Sequence, residues 1–406
     1  MLEEFLRASK RIQGPLAFHL PMFAASLKED GYTDESVKGK LWCLVDLGQW
    51  MQRKGLTVAN LNEPCVEQFV RRHHHIGRGD PKTFEQFLNH LRKSGVVPDR
   101  KPARDRSPLA EILGLYERYL RSERGLVPST ILYYQSFVRK FLVERFREGP
   151  FDFTKVKPSD VSDFVLRLAP SMSVGRAHLM TTALRSFFRY LFQRGEMQAD
   201  LVASVPTVAD WRLSTVPKYM TAEEVGRMLQ ACNQRTATGR RDYAILLLLA
   251  RLGLRASEVV ALQFGDINWR ASEIIIRGKG SFHDRMPLPS EVGKALASYL
   301  RRDRPFCSTR RVFVRMKAPR RGFAGPGALT TIVRRALDRA DLHPSMKGAH
   351  LLRHSLATSM LRSGATMAEI GEILRHRVPN TTEIYAKVDF AGLRSLALPW
   401  PIGGGR

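Results

Sequence analysis

Leu374-Arg-His-Arg-Val-Pro-Asn-Thr-Thr-Glu-Ile-Tyr385 closes a series of four short motifs that decide how the second half of the chain is read. The other three are Leu252-Gly-Leu-Arg-Ala-Ser-Glu258, Gly278-Lys-Gly280 and His350-Leu-Leu-Arg-His354. Arg255 with Glu258, and His350 with Arg353, are each three residues apart, a spacing that sets each pair on one helix face. A guanidinium offers paired N–H donors that match the nonbridging oxygens of a phosphate, so two such forks can hold a phosphoryl group while its charge redistributes. Singly, each motif has a commoner structural use: a surface ion pair, a hairpin turn, a half-buried tyrosine. The ordered set carries the information.

Around these motifs the texture is mixed α+β and mainly helical. Thr221-Ala-Glu-Glu224 has the form of a capping box and opens a helix. A second helix is expected at about 241–252, ended by Gly253. Glu273-Ile-Ile-Ile-Arg277 and Asp284-Arg-Met-Pro-Leu288 read as two strands around the Gly278-Lys-Gly280 turn.

Upstream, two proline-bearing polar stretches, 99–108 and 205–217, break the apolar periodicity and read as linkers. The two segments they delimit look alike. Leu27 to Gly31 matches Leu120 to Gly125, and each is followed by helix-capping residues near Asp34 and Pro128. Leu44 and Leu47 match Val138 and Phe141; Leu61, Val66, Phe69 and Val70 match Val156, Val161, Phe164 and Val165. Phe84, Phe87, Leu88, Leu91 and Gly95 match Leu184, Phe187, Phe188, Leu191 and Gly195. The reading is a repeated module of four to five helices. The predicted organisation is therefore two all-α domains, 1–104 and 105–206, a mixed catalytic domain at 207–390, and a tail at 391–406.

With 65 Lys+Arg against 39 Asp+Glu, the chain carries a formal charge of +26. Such an excess favours a polyanionic partner, because each neutralised phosphate releases a condensed counterion; binding is expected to weaken steeply with salt. Nucleic acid ranks above an anionic membrane, since no apolar run approaches the roughly 18 residues of a spanning helix and the N-terminus has no signal-peptide core. A cytosolic, nucleoid-associated protein is expected. The run Arg301 to Arg321 holds nine Lys or Arg, with Phe306 and Phe313 interleaved, and is expected along a phosphate backbone. Cys43, Cys65, Cys232 and Cys307 are scattered and read as reduced, and His73, His74 and His75 point apart on a helix and do not read as a metal site.

At the four motifs the sequence resembles the tyrosine recombinase (phage integrase) family. That family keeps an Arg in a Gly-Leu-Arg-x-Ser-Glu turn, a Lys in a hairpin, a His-x-Leu-Arg-His helix, and a second His nine residues before a Tyr. All six positions are filled in order here: Arg255, Lys279, His350, Arg353, His376 and Tyr385. The resemblance covers about 108–390 and identifies the second helical domain as similar to the family's SAM-like core-binding domain. It implies a DNA strand transferase in which Tyr385 attacks the scissile phosphate, giving a 3′-phosphotyrosine and a free 5′-hydroxyl. Arg255 and Arg353 are then the transition-state clamps, Lys279 the acid for the leaving oxygen, and His350 and His376 the proton-moving groups. Glu258 supports His350 or Arg255.

No clustered acidic pair suits two divalent ions, so no cofactor and no metal are expected. The resemblance further implies double-stranded DNA as partner, a homotetramer on two duplexes, the tail docking in a neighbouring subunit, and accessory or sister proteins. The segment 1–104 is either a second DNA-binding domain or a protein-contact module. A type IB topoisomerase-like enzyme and a non-catalytic DNA-binding regulator are the competing readings. Two positions depart or stand apart: Arg375 replaces the family's usual Gly before His376, where it either crowds the turn or adds a phosphate contact, and His354 matches the family's trailing His but reads as a packing residue or a support to the catalytic groups, not as a catalyst.

Overall fold

The structure is a computed structural model, and it describes residues 14–72, 80–99, 107–147, 150–209, 217–278, 283–376, 378 and 381–388. Lys279, His73 to His75 and the tail 391–406 lie outside the described residues. By contacts the chain divides into two compact units, 100–214 alone and 1–99 together with 215–406.

In the second of these units, residues 14–97 build a core of their own. Helices α1 (Leu20–Glu29), α2 (Asp34–Arg53), α3 (Glu63–Arg72) and α4 (Asp80–Lys93) surround it, with a 3-10 turn at Val58–Asn60 between α2 and α3. Thr33 caps α2 by accepting from the Ser36 N–H, as the sequence around Asp34 suggests. Phe23, Phe69, Phe84 and Phe87 meet edge to face in the centre.

The unit 100–214 repeats this order. Helices α5 (Pro108–Ser122), α6 (Pro128–Phe146), α7 (Pro158–Leu168) and α8 (Val174–Gln193) follow one another, with a 3-10 turn at Phe153–Lys155 between α6 and α7. Pro108, Pro128 and Pro158 each open a helix where no amide hydrogen bond is lost. Phe141, Phe164, Phe187 and Phe188 form the aromatic centre.

The catalytic segment opens with α9 (Ala222–Gln230), whose Thr221 and Glu224 complete the expected capping box. Helix α10 (Ala237–Arg251) starts four residues before the sequence-based estimate, because the Thr236 hydroxyl accepts from the Gly239 N–H and caps it earlier. A short α11 (Ala256–Ala261) leads to an antiparallel sheet of β1 (Ile267–Asn268), β2 (Glu273–Arg277) and β3 (His283–Pro287), in that order. Ile274 and Ile276 alternate into the core, and Arg277 pairs with His283 at the end of the described ladder. Strand β1, only two residues long, has no periodicity to announce it. Helices α12 (Ser290–Arg302), α13 (Gly327–Arg339), α14 (Ala349–Arg362) and α15 (Met367–Ile373) complete the segment, followed by a 3-10 helix at Glu383–Val388. No described helix is long and apolar enough to cross a membrane.

The basic run 301–321 is partly internal. Phe313 is buried and stacks on Tyr299 at 5.7 Å, while Phe306 is 93% exposed. Arg304 donates to the carbonyls of Thr309, Arg311 and Val312 and lies over the Phe264 ring. The Arg320 N–H donates to the Asp30 carbonyl at 2.8 Å.

Gly253 sets the path between α10 and α11. Its φ is +58°, and a Cβ there would meet Leu374 Cδ2 at 2.7 Å and Leu356 Cδ2 at 3.0 Å. Gly253→Ala is expected to destabilise the fold by about 1–3 kcal/mol from left-handed backbone and overpacking combined. Urea unfolding followed by tryptophan fluorescence measures this, and an unchanged midpoint would contradict it.

Candidate active site

Arg353 sits on α14 and is 3% exposed. Its guanidinium donates to the carbonyls of Gly253 and Leu374. Among the described residues no carboxylate lies within ion-pair distance of it. Burial, then the positive charges of Arg255 and Arg375, lower its pKa to about 10, so it stays charged at neutral pH. A buried cation without an anion is costly, and the natural remedy is an anion supplied from outside.

Arg255 does not lie on a helix face, as its spacing from Glu258 suggested. It is the residue before α11, in extended backbone with φ −72° and ψ 149°. Glu258 is the third residue of that helix and closes a capping box: it accepts from the Arg255 N–H at 2.8 Å and from the Arg255 guanidinium at 2.8 Å. The support expected of Glu258 therefore goes to Arg255. Burial works to raise the Glu258 pKa, but Arg375 and Arg255 together hold it below the usual value.

Arg375 neither crowds the turn nor stands free. Its guanidinium donates to Glu258 at 2.8 Å, and its side chain is 8% exposed. It occupies the residue after the C-cap of α15 with φ +54°; its N–H bonds to the Glu372 carbonyl and that of His376 to Gly371, the Schellman pattern. A residue with a side chain pays about 1–2 kcal/mol in that left-handed conformation.

His376 bonds through Nδ1 to the Thr382 hydroxyl at 2.8 Å, which fixes its ring. Tyr385 is 2% exposed, packed with Ala357, Ile370, Leu374 and Val388. Its ring lies parallel to that of His376 with centroids 6.4 Å apart. The phenol oxygen is 3.0 Å from His354 Nδ1. Burial raises the Tyr385 pKa against the pull of Arg353, so the phenol is protonated at neutral pH. His354, the trailing His of the His-x-Leu-Arg-His motif and read from sequence as a packing or supporting residue, is thus the hydrogen-bond partner of the tyrosine. His350 lies one turn before His354 with ring centroids 6.3 Å apart.

Arg255, His350, Arg353, His376 and Tyr385 therefore gather where α11, α14 and the end of α15 meet. Among the described residues no group of three or more His, Cys, Asp or Glu could hold a metal ion.

A helical domain joined to this arginine-histidine-tyrosine cluster defines an enzyme that breaks and rejoins DNA through a tyrosine, and the chain belongs to the phage integrase family of tyrosine recombinases. Residues 218–391 match the family model described as phage integrase family, and residues 113–195 that of the phage integrase N-terminal SAM-like domain. The chain is 42% identical over 97% of its length to y4rA of Sinorhizobium fredii, an assigned integrase/recombinase, covering 96% of that protein. It is 32% identical to the tyrosine recombinase XerA of Thermococcus onnurineus, over 70% of this chain and 93% of that one. Among solved structures, XerH bound to a palindromic difH substrate aligns with TM-score 0.57 at 20% identity, over 70% of this chain and 83% of that one. The Tn1549 transposon integrase aligns with TM-score 0.53 at 18%, over 71% and 99%. These two show the shared fold. The chain is a site-specific DNA recombinase.

The imidazoles impose a pH dependence. Burial, followed by the charges of Arg353, Arg255 and Arg375, lowers the His376 pKa to about 4, and burial also lowers those of His350 and His354. The unfolded chain therefore binds more protons than the folded one below about pH 6.5, so stability falls as pH drops. The urea midpoint is expected to be lower at pH 5.5 than at pH 7.5, with a shallower slope in His376→Asn. Equal midpoints would mean that these rings are charged in the native state.

Proposed function

We propose that Tyr385 is the nucleophile that attacks the scissile phosphate, with Arg255 and Arg353 holding the phosphoryl oxygens. The observation that carries this reading is the buried Arg353 guanidinium, which has donors to spare and no carboxylate partner. A phosphate seated there supplies the missing anion and gains most as its charge builds towards the transition state. The phenol must lose its proton, and His354 at 3.0 Å is in place to accept it. His376 and His350 hydrogen-bond the phosphate, and Lys279 protonates the leaving 5′-oxygen. The phosphotyrosine ester keeps the energy of the broken bond for religation. Cations carry the electrostatic load, so strand cleavage is expected without added metal.

The DNA partner is double-stranded, and the active assembly is four copies on two duplexes, with the tail 391–406 passing between subunits. Phosphate affinity is spread unevenly along the chain. Residues 1–99 hold 14 Lys+Arg against 12 Asp+Glu, residues 100–214 hold 19 against 12, and residues 215–406 hold 32 against 15.

The segment 1–104 is a second copy of the core-binding fold. Support comes from the shared order of four α-helices with a 3-10 turn between the second and third, and from Gly31 and Gly125, then Gly95 and Gly195, which all have positive φ at matching places. Its near balance of charge argues that it serves protein contacts and adds little to DNA affinity. Removing residues 1–104 is expected to leave the footprint on core DNA unchanged while weakening assembly of paired sites; a shortened footprint would assign it to DNA.

A nicked suicide substrate tests the chemistry. The wild type is expected to accumulate a covalent adduct in EDTA, and Tyr385→Phe none, while binding DNA within about threefold. Adduct formation by the phenylalanine variant, or an absolute need for magnesium, would overturn the assignment.

A further inference from the structure

Among the described residues seven helices end in the same hydrogen-bond pattern, in which the second residue after the helix C-cap bonds back five positions and the first bonds back to the next carbonyl. Gly31, Gly55, Gly95, Gly195 and Gly364 fill the left-handed position in five of them, and Asp341 in a sixth. Glycine takes that backbone freely, and aspartate tolerates it. The seventh is Arg375, a long cationic side chain with φ +54°. Nothing about the turn requires it, since the helix just before, α14, ends on Gly364. The reason must lie in what the side chain reaches.

It reaches three elements at once. Its guanidinium donates to Glu258 on α11 at 2.8 Å, to the Ile373 carbonyl of its own helix, and lies against Met286 on β3, with Asp284 at 3.9 Å. Glu258 in turn holds both the backbone and the guanidinium of Arg255. A single carboxylate bound to Arg255 would cancel much of the charge that Arg255 offers to a phosphate. With Arg375 on the same carboxylate, the three groups carry one net positive charge, and Arg255 keeps its field.

We infer that Arg375 is a positioning residue for strand cleavage: it neutralises Glu258 and braces it between α11 and the β2–β3 hairpin, so that Arg255 meets the scissile phosphate fixed and at full charge. This rests on the assignment of Arg255 as a phosphate clamp. The same side chain ties strand β3 of the hairpin to the turn that precedes His376.

Arg375→Gly and Arg375→Lys in the full chain decide the matter, read by single-turnover cleavage of a nicked suicide substrate, DNA affinity and thermal midpoint. The glycine variant is expected to cleave at least tenfold more slowly, with affinity changed less than threefold and a midpoint equal to or above that of the wild type. Lysine should recover part of the rate, since it restores charge without the fork. Adding Glu258→Gln to Arg375→Gly should slow cleavage by less than the product of the single effects, because the unpaired carboxylate is gone. Cleavage by Arg375→Gly within twofold of the wild type would overturn the inference, as would losses of rate, affinity and midpoint in parallel, which mark a merely structural residue. Failure of the wild type itself to form an adduct would instead sink the assignment of Tyr385.

Discussion

A buried guanidinium held by backbone carbonyls is the constraint around which the catalytic segment is built. Arg353 can stay charged inside the protein only because Gly253 and Leu374 turn their carbonyls towards it. Those two residues belong to separate loops, one leading to Arg255 and the other to His376. Satisfying Arg353 therefore fixes the loops that carry the other groups. Gly253 accepts from it on one side, and the turn containing Arg375 does so on the other. The arrangement resembles a keystone in that the buried charge proposed to hold the phosphate is also the one that assembles its neighbours.

The electrostatics of the site follow from crowding like charges in a dry place. Arg255 and Arg375 lie close enough to depress Arg353, and the three depress His376, while Glu258 is the acid hydrogen-bonded to both Arg255 and Arg375. The histidines are kept neutral, which suits them to accept and donate protons in place of adding further positive charge. The tyrosine stays protonated until a base takes its hydrogen. Each of these states is set by burial first and by neighbouring cations second.

Much of this was legible from the residues in order. The capping box at Thr221, the hairpin around Gly278 and the pairing of apolar positions between the two helical segments rest on local periodicity and turn chemistry, which sequence carries directly. The ordered motif from Arg255 to Tyr385 named the cluster. What stayed hidden depends on tertiary approach. His354 meets Tyr385 across 31 residues, and Arg375 meets Glu258 across 117. Arg255 lies just outside its helix because Glu258 caps it, a distinction that three-residue spacing alone does not make. Phe313 and Phe306 look equivalent in a basic run, yet one stacks in the core and the other faces water. No window of sequence separates them.

The sealed phenol has a temporal consequence. With 2% of Tyr385 exposed and its ring packed among Ala357, Ile370 and Leu374, the free molecule keeps this phenol oxygen out of contact with passing phosphodiesters. The segment that holds it is a 3-10 helix of six residues, a structure with little intrinsic persistence. Loosening it costs far less than unfolding a core helix. On the proposed assignment of Tyr385 as nucleophile, this ties nicking to a step that frees the ring, so a duplex must settle before its backbone is at risk.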